Sequence, residues 1–477
     1  MITFILSLII LIGGYLIYGA FVEKIFGADA NRQMPSKTCY DGVDYVPLDW
    51  KKIFLIQFLN IAGLGPIFGA VMGAIFGPAA FLWIVFGSIF GGAVHDYLSG
   101  MISVRNKGMS LPELGGQYLG IYFKNTMRVF TVAVMVLVGA VFIAGPAKLL
   151  TNLASGNLSY TFWCVLVFIY YALATLLPVD KIIGKIYPFF GFALLFMAIG
   201  VCLMIFLNNP PIPEISFANL RNMHPDPKHY PIFPMMFISI ACGAVSGFHA
   251  TQSPMMARCL QNEKQGRRVF YGAMIAEGIV ALIWAAAAMS FFGYVGGLQE
   301  FLKNNGNNVA VVVDKISYTW LGKIGGLLAI IGVIAAPITS GDTAFRAARL
   351  IISDLSGYTQ KPLLNRIFVA VPLFIVGFII LQVNFDVLWR YFAWANQTLA
   401  ASTLWLITVY LARNNRNFWI SLIPALFMTC VVVSYIIIAP EGFKLPLCAG
   451  VSAGIAATLL LAFYFIIKLR KREHSLD

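Results

Sequence analysis

Charge is scarce in this chain. Only 11 % of its 477 residues are Asp, Glu, Lys or Arg, while 60 % are hydrophobic; soluble globular domains carry about 25 % charged and about 45–50 % apolar residues. Too few charges exist to coat a water-facing surface of this size. That excludes a large soluble core and fits an outer surface that faces lipid. Acidic residues are the scarcer sign, 20 against 33 Lys and Arg. The basic excess is spread over short loops between apolar runs, as in cytoplasmic loops of membrane proteins, and argues against a nucleic-acid partner. Cysteine pairing is missing too: Cys39, Cys164, Cys202, Cys242, Cys259, Cys430 and Cys448 contain no CxxC and no metal-ligand spacing. Most lie in apolar runs, where a thiol behaves as a small hydrophobe, so neither a disulfide framework nor a metal is expected. HExxH and paired mid-span aspartates are absent, which leaves an intramembrane enzyme without a catalytic constellation. The first apolar stretch, Ile2 to Val22, lacks a basic n-region and a small-residue cleavage site and is expected to stay as a membrane helix.

What is present is a series of runs long enough to cross a bilayer, which takes about 20 apolar residues per helix. About thirteen spans are expected, at 2–22, 53–75, 78–104, 129–150, 160–177, 186–207, 232–257, 269–292, 324–350, 366–383, 388–411, 417–438 and 446–468. Loop charge supports the count. Loops with Lys51 and Lys52, Arg105 and Lys107, Lys181 and Lys185, Arg267 and Arg268, Lys361 and Arg366, and Arg413 and Arg416, and the tail with Lys471 and Arg472, all fall on one side. That side is cytoplasmic by the positive-inside rule, with the N-terminus outside and the C-terminus inside. The segment 293–323 reads as an outer loop with a short surface helix.

Two spans are interrupted. The second reads IQFLNIAGLGPIFGA, with Asn60, Gly63, Gly65 and Pro66. The seventh reads ISIACGAVSGFHATQSPMMARC, with Gly243, Ser246, Gly247, His249, Thr251, Gln252, Ser253 and Pro254. Gly relaxes the backbone and Pro removes a donor. Broken helices near mid-membrane offer freed backbone groups to a solute, although close helix contacts and proline kinks use the same residues. The two breaks lie five spans apart and run in opposite directions, the pattern of an inverted repeat. The expected organisation is therefore an N-terminal helix and loop (1–52), a first five-helix repeat (53–207), a linker (208–231), a second repeat (232–411) and two C-terminal helices with a basic tail (412–477). In the amino-acid-transporter fold, the LeuT-like 5+5 core, the third helix of the second repeat supplies hydroxyls to an ion. Here that helix reads AAPITSGDTAFRAAR, with Thr339, Ser340 and Asp342. Its hydroxyls serve an ion or bond back to their own helix.

The stretches NIAGLGPIFGAVMGAIFGPAAFLWIVFGSIFGGAVHDYLSGMISVRNKGMSLPEL, CGAVSGFHATQSPMMARCLQNE and ITSGDTAFRAARLIISD strongly resemble the carbon starvation protein A family. The likeness is close over roughly 45–115 and 235–355 and looser elsewhere. The resemblance implies a bacterial inner-membrane protein of the amino acid–polyamine–organocation superfamily that scavenges a small nutrient in carbon starvation. Members have been linked to peptide uptake and to proton-coupled pyruvate uptake. The best-known members are longer, with further membrane segments toward the C-terminus.

A charge at mid-bilayer costs about 2.5–3.5 kcal/mol on insertion scales and therefore needs a partner or a function. Glu277, in YGAMIAEGIVALIW, is a candidate proton carrier, because desolvation favours the neutral acid, or else a satisfied structural carboxylate. Asp342 balances an ion or pairs with Arg346 one turn on. His95 and Asp96 form a proton relay or a structural cap near the inner interface. His249 lies in the second break and titrates near physiological pH. Lys148 draws in anions or snorkels.

The expectation is an all-α polytopic transporter that works by alternating access. Asn60, Gly63, Gly65, Ser246, His249, Thr251 and Gln252 would bind a small-molecule substrate: pyruvate, an amino acid or a short peptide. Thr339, Ser340, Asp342 and Glu277 would handle a coupling Na⁺ or H⁺, with His95 and Asp96 as a possible relay. No cofactor, metal or catalytic residue is expected. A channel and a nutrient sensor acting through a partner kinase are the alternatives.

Overall fold

A computed structural model describes residues 1–42, 44–154, 158–176, 179–358 and 362–473, with the side chains at 176–188, 386 and 471–473 left aside. Lys361 falls outside the described residues, and the side chains of Lys181, Lys185, Lys471 and Arg472 are among those left aside. Among the described residues all regular structure is helical. Each expected span has a helix or a helix pair. They are α1 (Ile2–Phe26), α2 (Trp50–Ile61 and Gly65–Ala74), α3 (Ala79–Arg105), α4 (Ile121–Leu153), α5 (Tyr160–Leu176) and α6 (Val179–Asn208). These are followed by α7 (232–239 and His249–Ala257), α8 (Glu263–Phe291), α9 (Val309–Ser356), α10 (Leu363–Ile380), α11 (Phe385–Arg413), α12 (Trp419–Ile438) and α13 (Leu447–Glu473). Among the described residues nine helices are long and apolar enough to cross a membrane, or up to ten when the bent pair of α2 counts as one span. α5 is short, α7 is split, and α11 carries polar residues at its middle.

The apolar surface is distributed as a bilayer would require. α1, α10 and α13 bury only small shares of their length and expose rows of Ile, Leu and Phe, whereas α3, α4 and α8 are largely enclosed. α9 packs along α4 and α6, and α12 pairs with α11 and α13. The Tyr171 hydroxyl of α5 lies 2.8 Å from the Phe142 carbonyl of α4 and 3.0 Å from the Pro337 carbonyl of α9, tying three helices at one point.

The segment 293–323 is more helical than expected. Val295–Asn304 forms the foreseen short helix, but Val309 starts a second run that joins α9 across a kink at Gly322. Gly322 has φ 68°. Only a residue tolerant of that region lets one helix turn into the next without a loop.

The basic face is fastened by charge. Glu263, fully buried between α7 and α8, receives Arg32 at 2.9 Å and Arg105 at 3.1 Å, and accepts the Asp29 N–H at 2.9 Å. Arg105 also donates to the Gly27 carbonyl and lies 3.8 Å over the Phe26 ring. The loop after α1, the end of α3 and the α7–α8 connection therefore share one carboxylate. Nearby, Glu113 takes Lys124 and Arg128. Partial burial pushes the Glu113 carboxyl up, but hydrogen bonds from Lys124 and Arg128 outweigh it and hold it below the usual 4.5. A depressed carboxylate stabilises the fold above its unfolded value and loses that contribution as pH falls. Glu113→Gln should lower the unfolding temperature by roughly 1–3 °C near neutral pH. In a detergent thermal-shift series, variant and wild type should converge once pH falls well below 4.5.

Candidate functional site

The two interrupted helices meet at their interruptions. The first arm of α2 ends at Ile61, residues 62–64 leave the helix, and the second arm resumes at Gly65 with its axis bent by 55°. Pro66 is the second residue of that arm, where a missing N–H costs nothing. A Cβ on Gly65 would come within 2.1 Å of the Cys242 Cβ in the break of α7, and one on Gly69 within 2.9 Å of the Ser239 carbonyl. The glycines of one break thus admit the backbone of the other.

In α7 the unwound stretch runs from Ile240 to Phe248. The expectation that it would extend through Thr251, Gln252 and Pro254 is not met: these residues are helical, and Pro254 sits inside the second arm. Breaking is done by Gly243 and Gly247 and by outside partners, while an interior Pro in a membrane helix only removes one bond. The partners come from α11. Asn396 accepts the Phe248 N–H on Oδ1 at 2.6 Å and the Gly247 N–H on its carbonyl at 3.2 Å, and its amide donates to Ser246 Oγ at 3.0 Å. Gln397 donates to the Val245 carbonyl at 2.8 Å. A Cβ on Gly247 would lie 2.3 Å from the Ala400 nitrogen, so α11 touches bare backbone there.

The first break is held from α9. The Gly63 N–H turns to the Ile61 carbonyl, which releases the carbonyl of Leu59. Ser340 Oγ lies 3.2 Å from the Leu59 carbonyl, 2.8 Å from that of Asn60 and 3.0 Å from that of Ala336. Gly63 stands against the Phe142 ring, with Ser340 Oγ behind it. Thr339 bonds back to Ala336, and Thr343 bonds back to its own helix. Asp342 faces α5, where the Tyr170 hydroxyl donates to it at 3.4 Å, and Arg346 donates to the Ala174 carbonyl at 2.6 Å. Ser340 is thus joined to the first break by its hydroxyl.

Four ionisable residues gather below the second break. The two oxygens of Asp96 each lie 2.7 Å from an imidazole Nδ1, one from that of His95 and the other from that of His249. His249 Nε2 lies 3.3 Å from Glu277 Oε2. All four side chains are 0 % exposed. His95 and Asp96 are thus buried beside His249, and Glu277 has that imidazole as a neighbour. Among the described residues no group of three or more His, Cys, Asp or Glu is arranged to hold a metal.

Polar atoms without partners mark where a solute would fit. The Asn60 amide is fully buried, with neither its nitrogen nor its oxygen hydrogen-bonded, and the oxygens of Gln57 and Gln252 are in the same condition. Thr251 bonds to the Phe248 carbonyl and faces a space of about 30 Å³ toward the basic side. On the opposite side a cavity of about 650 Å³ descends to Phe68, Ser239 and Ala393, one turn of α11 short of Asn396. Lys148, Lys303 and Arg390 line it. Lys148 does not snorkel to lipid; its Nζ lies 4.2 Å from the Phe385 ring centre.

Asn396, Gln397 and Gln57 were not singled out from the sequence. The signal was there: FAWANQTLAAS places two adjacent amides in the middle of an apolar run. Gly247→Ala should misfold or lose more than about 1–3 kcal/mol, the usual range for overpacking. Gly13→Ala, with open space around it, should be silent. Yield and monodispersity on size exclusion would check both.

A family profile described as "Carbon starvation protein CstA" matches residues 1–162, 154–323 and 296–435. A Haemophilus influenzae protein named "Uncharacterized membrane protein" is 41 % identical, over 63 % of this chain and 94 % of its own. Proteins named "Peptide transporter CstA" are 28 % identical in Bacillus subtilis, over 97 % of this chain and 94 % of theirs, and 24 % identical in Escherichia coli, over 88 % and 78 %. Among solved structures, that of MhsT in complex with L-phenylalanine aligns with TM-score 0.58 at 14 % identity, covering 87 % of this chain and 98 % of that one. At that identity the likeness speaks for the fold, a LeuT-like helical bundle. With the profile spanning nearly the whole chain, this multi-pass membrane protein belongs to the carbon starvation protein CstA family.

Proposed function

We propose that the protein is a secondary transporter that imports a small carboxylate-bearing nutrient, a short peptide first, by alternating access around the two breaks. One observation carries this reading: the Asn60 amide is buried at the first break with both polar atoms unpaired. A buried amide without a partner costs about 1–3 kcal/mol, and a ligand that both donates and accepts would remove that cost. An amino acid, a peptide bond with its termini, or a carboxylate with a bound proton can do so. The name carried by the relatives in several bacteria supports the peptide.

The 650 Å³ cavity would be the approach from outside, with Lys148, Lys303 and Arg390 attracting the carboxylate. In this reading the basic loops are cytoplasmic, the N-terminus is outside, and the membrane is the bacterial inner one. Segments 53–207 and 232–411 act as inverted halves. The closed basic face, fastened at Glu263, makes this the outward-facing form. Release inward requires the arms of α2 and α7 to move away from α9 and α11.

Uptake of labelled dialanine, alanine and pyruvate into proteoliposomes tests the reading. Asn60→Ala and Gln252→Ala should each cut uptake about tenfold or more at normal expression. Unchanged uptake in both would leave the breaks as packing features, and flux at channel rates without a gradient would favour a channel. Lys148→Gln should raise KM with Vmax kept, an effect that shrinks as salt is added, since exposed charges are screened over about 8–10 Å. A sodium requirement lost in Ser340→Ala would place the coupling ion among the Leu59, Asn60 and Ala336 carbonyl oxygens, which are hard ligands of the right kind.

A further inference from the structure

The four-residue cluster under the second break has a proton count that geometry restricts. Asp96 places one oxygen on each of two imidazole Nδ1 atoms at 2.7 Å. With Asp96 ionised, its oxygens only accept, so both Nδ1 atoms carry hydrogen. The free nitrogen of His249, Nε2, then faces Glu277 Oε2 at 3.3 Å. If both were unprotonated, two acceptors would confront each other in a site that no water-facing surface reaches. At least one proton therefore lies on the His249–Glu277 seam. With one, the cluster carries the single negative charge of Asp96. With two, an imidazolium stands beside a neutral acid and the charge of the cluster is zero.

Among the described residues no Lys or Arg pairs with Asp96 or Glu277. The electrostatic neighbours of Asp96 and Glu277 are each other, His95, His249 and the Cys242 thiol of the unwound stretch, which is hydrogen-bonded to Ser246 and Asn396. The guanidinium groups at the basic ends of α3 and α8 are committed elsewhere, Arg105 to Glu263 and Arg267 to Glu23. α2 contributes only neutral amides here, since the Gln57 amide meets Ser253 Oγ at 3.5 Å. α11 contributes Asn396 and Gln397, also neutral.

The cluster is also attached to both breaks. His249 is the first residue of the second arm of α7, next to Phe248, whose N–H is held by Asn396. The His249 carbonyl accepts from Ser253 Oγ at 3.0 Å, and Gln57, which meets the same hydroxyl, lies one turn before Asn60. A change of charge on His249 acts on the unwound stretch directly and on the first break through two contacts.

We propose that His95, Asp96, His249 and Glu277 form one proton-binding site, loaded and emptied once per cycle, so that the solute crosses together with H⁺. This rests on the transporter reading above; the proton site itself does not. Glu277 and His249 hold the exchanged proton, and Asp96 and His95 position the His249 ring.

Two measurements separate the two claims. Infrared difference spectra of the purified full chain, between about pH 5 and pH 8 where imidazole titrates, should contain a protonated-carboxyl band that Glu277→Gln removes. In proteoliposomes, Glu277→Gln should retain counterflow of labelled dialanine at equal pH on both sides, which also shows that it folds. It should lose proton-driven accumulation by about tenfold or more, a typical coupling factor. His95→Asn should shift the pH midpoint of uptake while leaving counterflow intact, which a merely structural role would not do. An unchanged infrared band, or accumulation by Glu277→Gln equal to wild type, overturns the proposal. If wild type shows the band but neither accumulates nor exchanges dialanine, alanine or pyruvate, the proton site stands and the transporter reading falls.

Discussion

A helix interrupted inside hydrocarbon releases N–H and C=O groups that lipid cannot satisfy, and every one must find a partner within the protein. Much of this structure follows from that constraint. The stretch 240–248 survives because Asn396 and Gln397 reach it from α11 with both side chain and backbone. The carbonyls near Asn60 survive because Ser340 lies among them from α9. These partners belong to helices outside the broken pair, so each break is held by a neighbour and not by its own helix. A bond of that kind can be exchanged for another without unfolding anything. That is why breaks stabilised from the side are suited to a moving part, whereas a proline kink closed on its own helix is not.

The ionisable residues obey the same constraint. Mid-membrane charges are costly, yet Asp96 and Glu277 lie fully buried, and among the described residues their ionic partners are two imidazoles. A packed apolar replacement would avoid that cost, and removing one partner of a buried pair typically costs about 3–5 kcal/mol. The arrangement has meaning when the charge is not fixed. Ser340, by contrast, is neutral and supports the first break whichever way the cluster is charged.

The helical spans and the positions of both breaks were legible in the sequence, because hydropathy and Gly/Pro encode them locally. The residues that belong together were not. His95, Asp96, His249 and Glu277 could be suspected one at a time, but their meeting depends on how α3, α7 and α8 cross, and no short-range pattern records a crossing. Asn396 and Gln397 went unnoticed because two amides in an apolar run look modest beside charged neighbours; the cost of burying them was the signal to weigh. Pro254 misled in the opposite direction: a breaker by propensity, it is tolerated where neighbouring helices support the backbone. The second helix of 293–323 was missed because Gly322 was read as a loop residue and not as a hinge between helices.

The cavity on one side ends above Asn396, and on the other side the space beneath α7 amounts to about 30 Å³, room for about one water molecule. Between them lie the glycine-to-backbone contacts of the two breaks and the closed shell around Asp96. The same tight packing that makes the breaks fragile to a single methyl group keeps these two spaces apart, which is the separation that a carrier needs between its two sides.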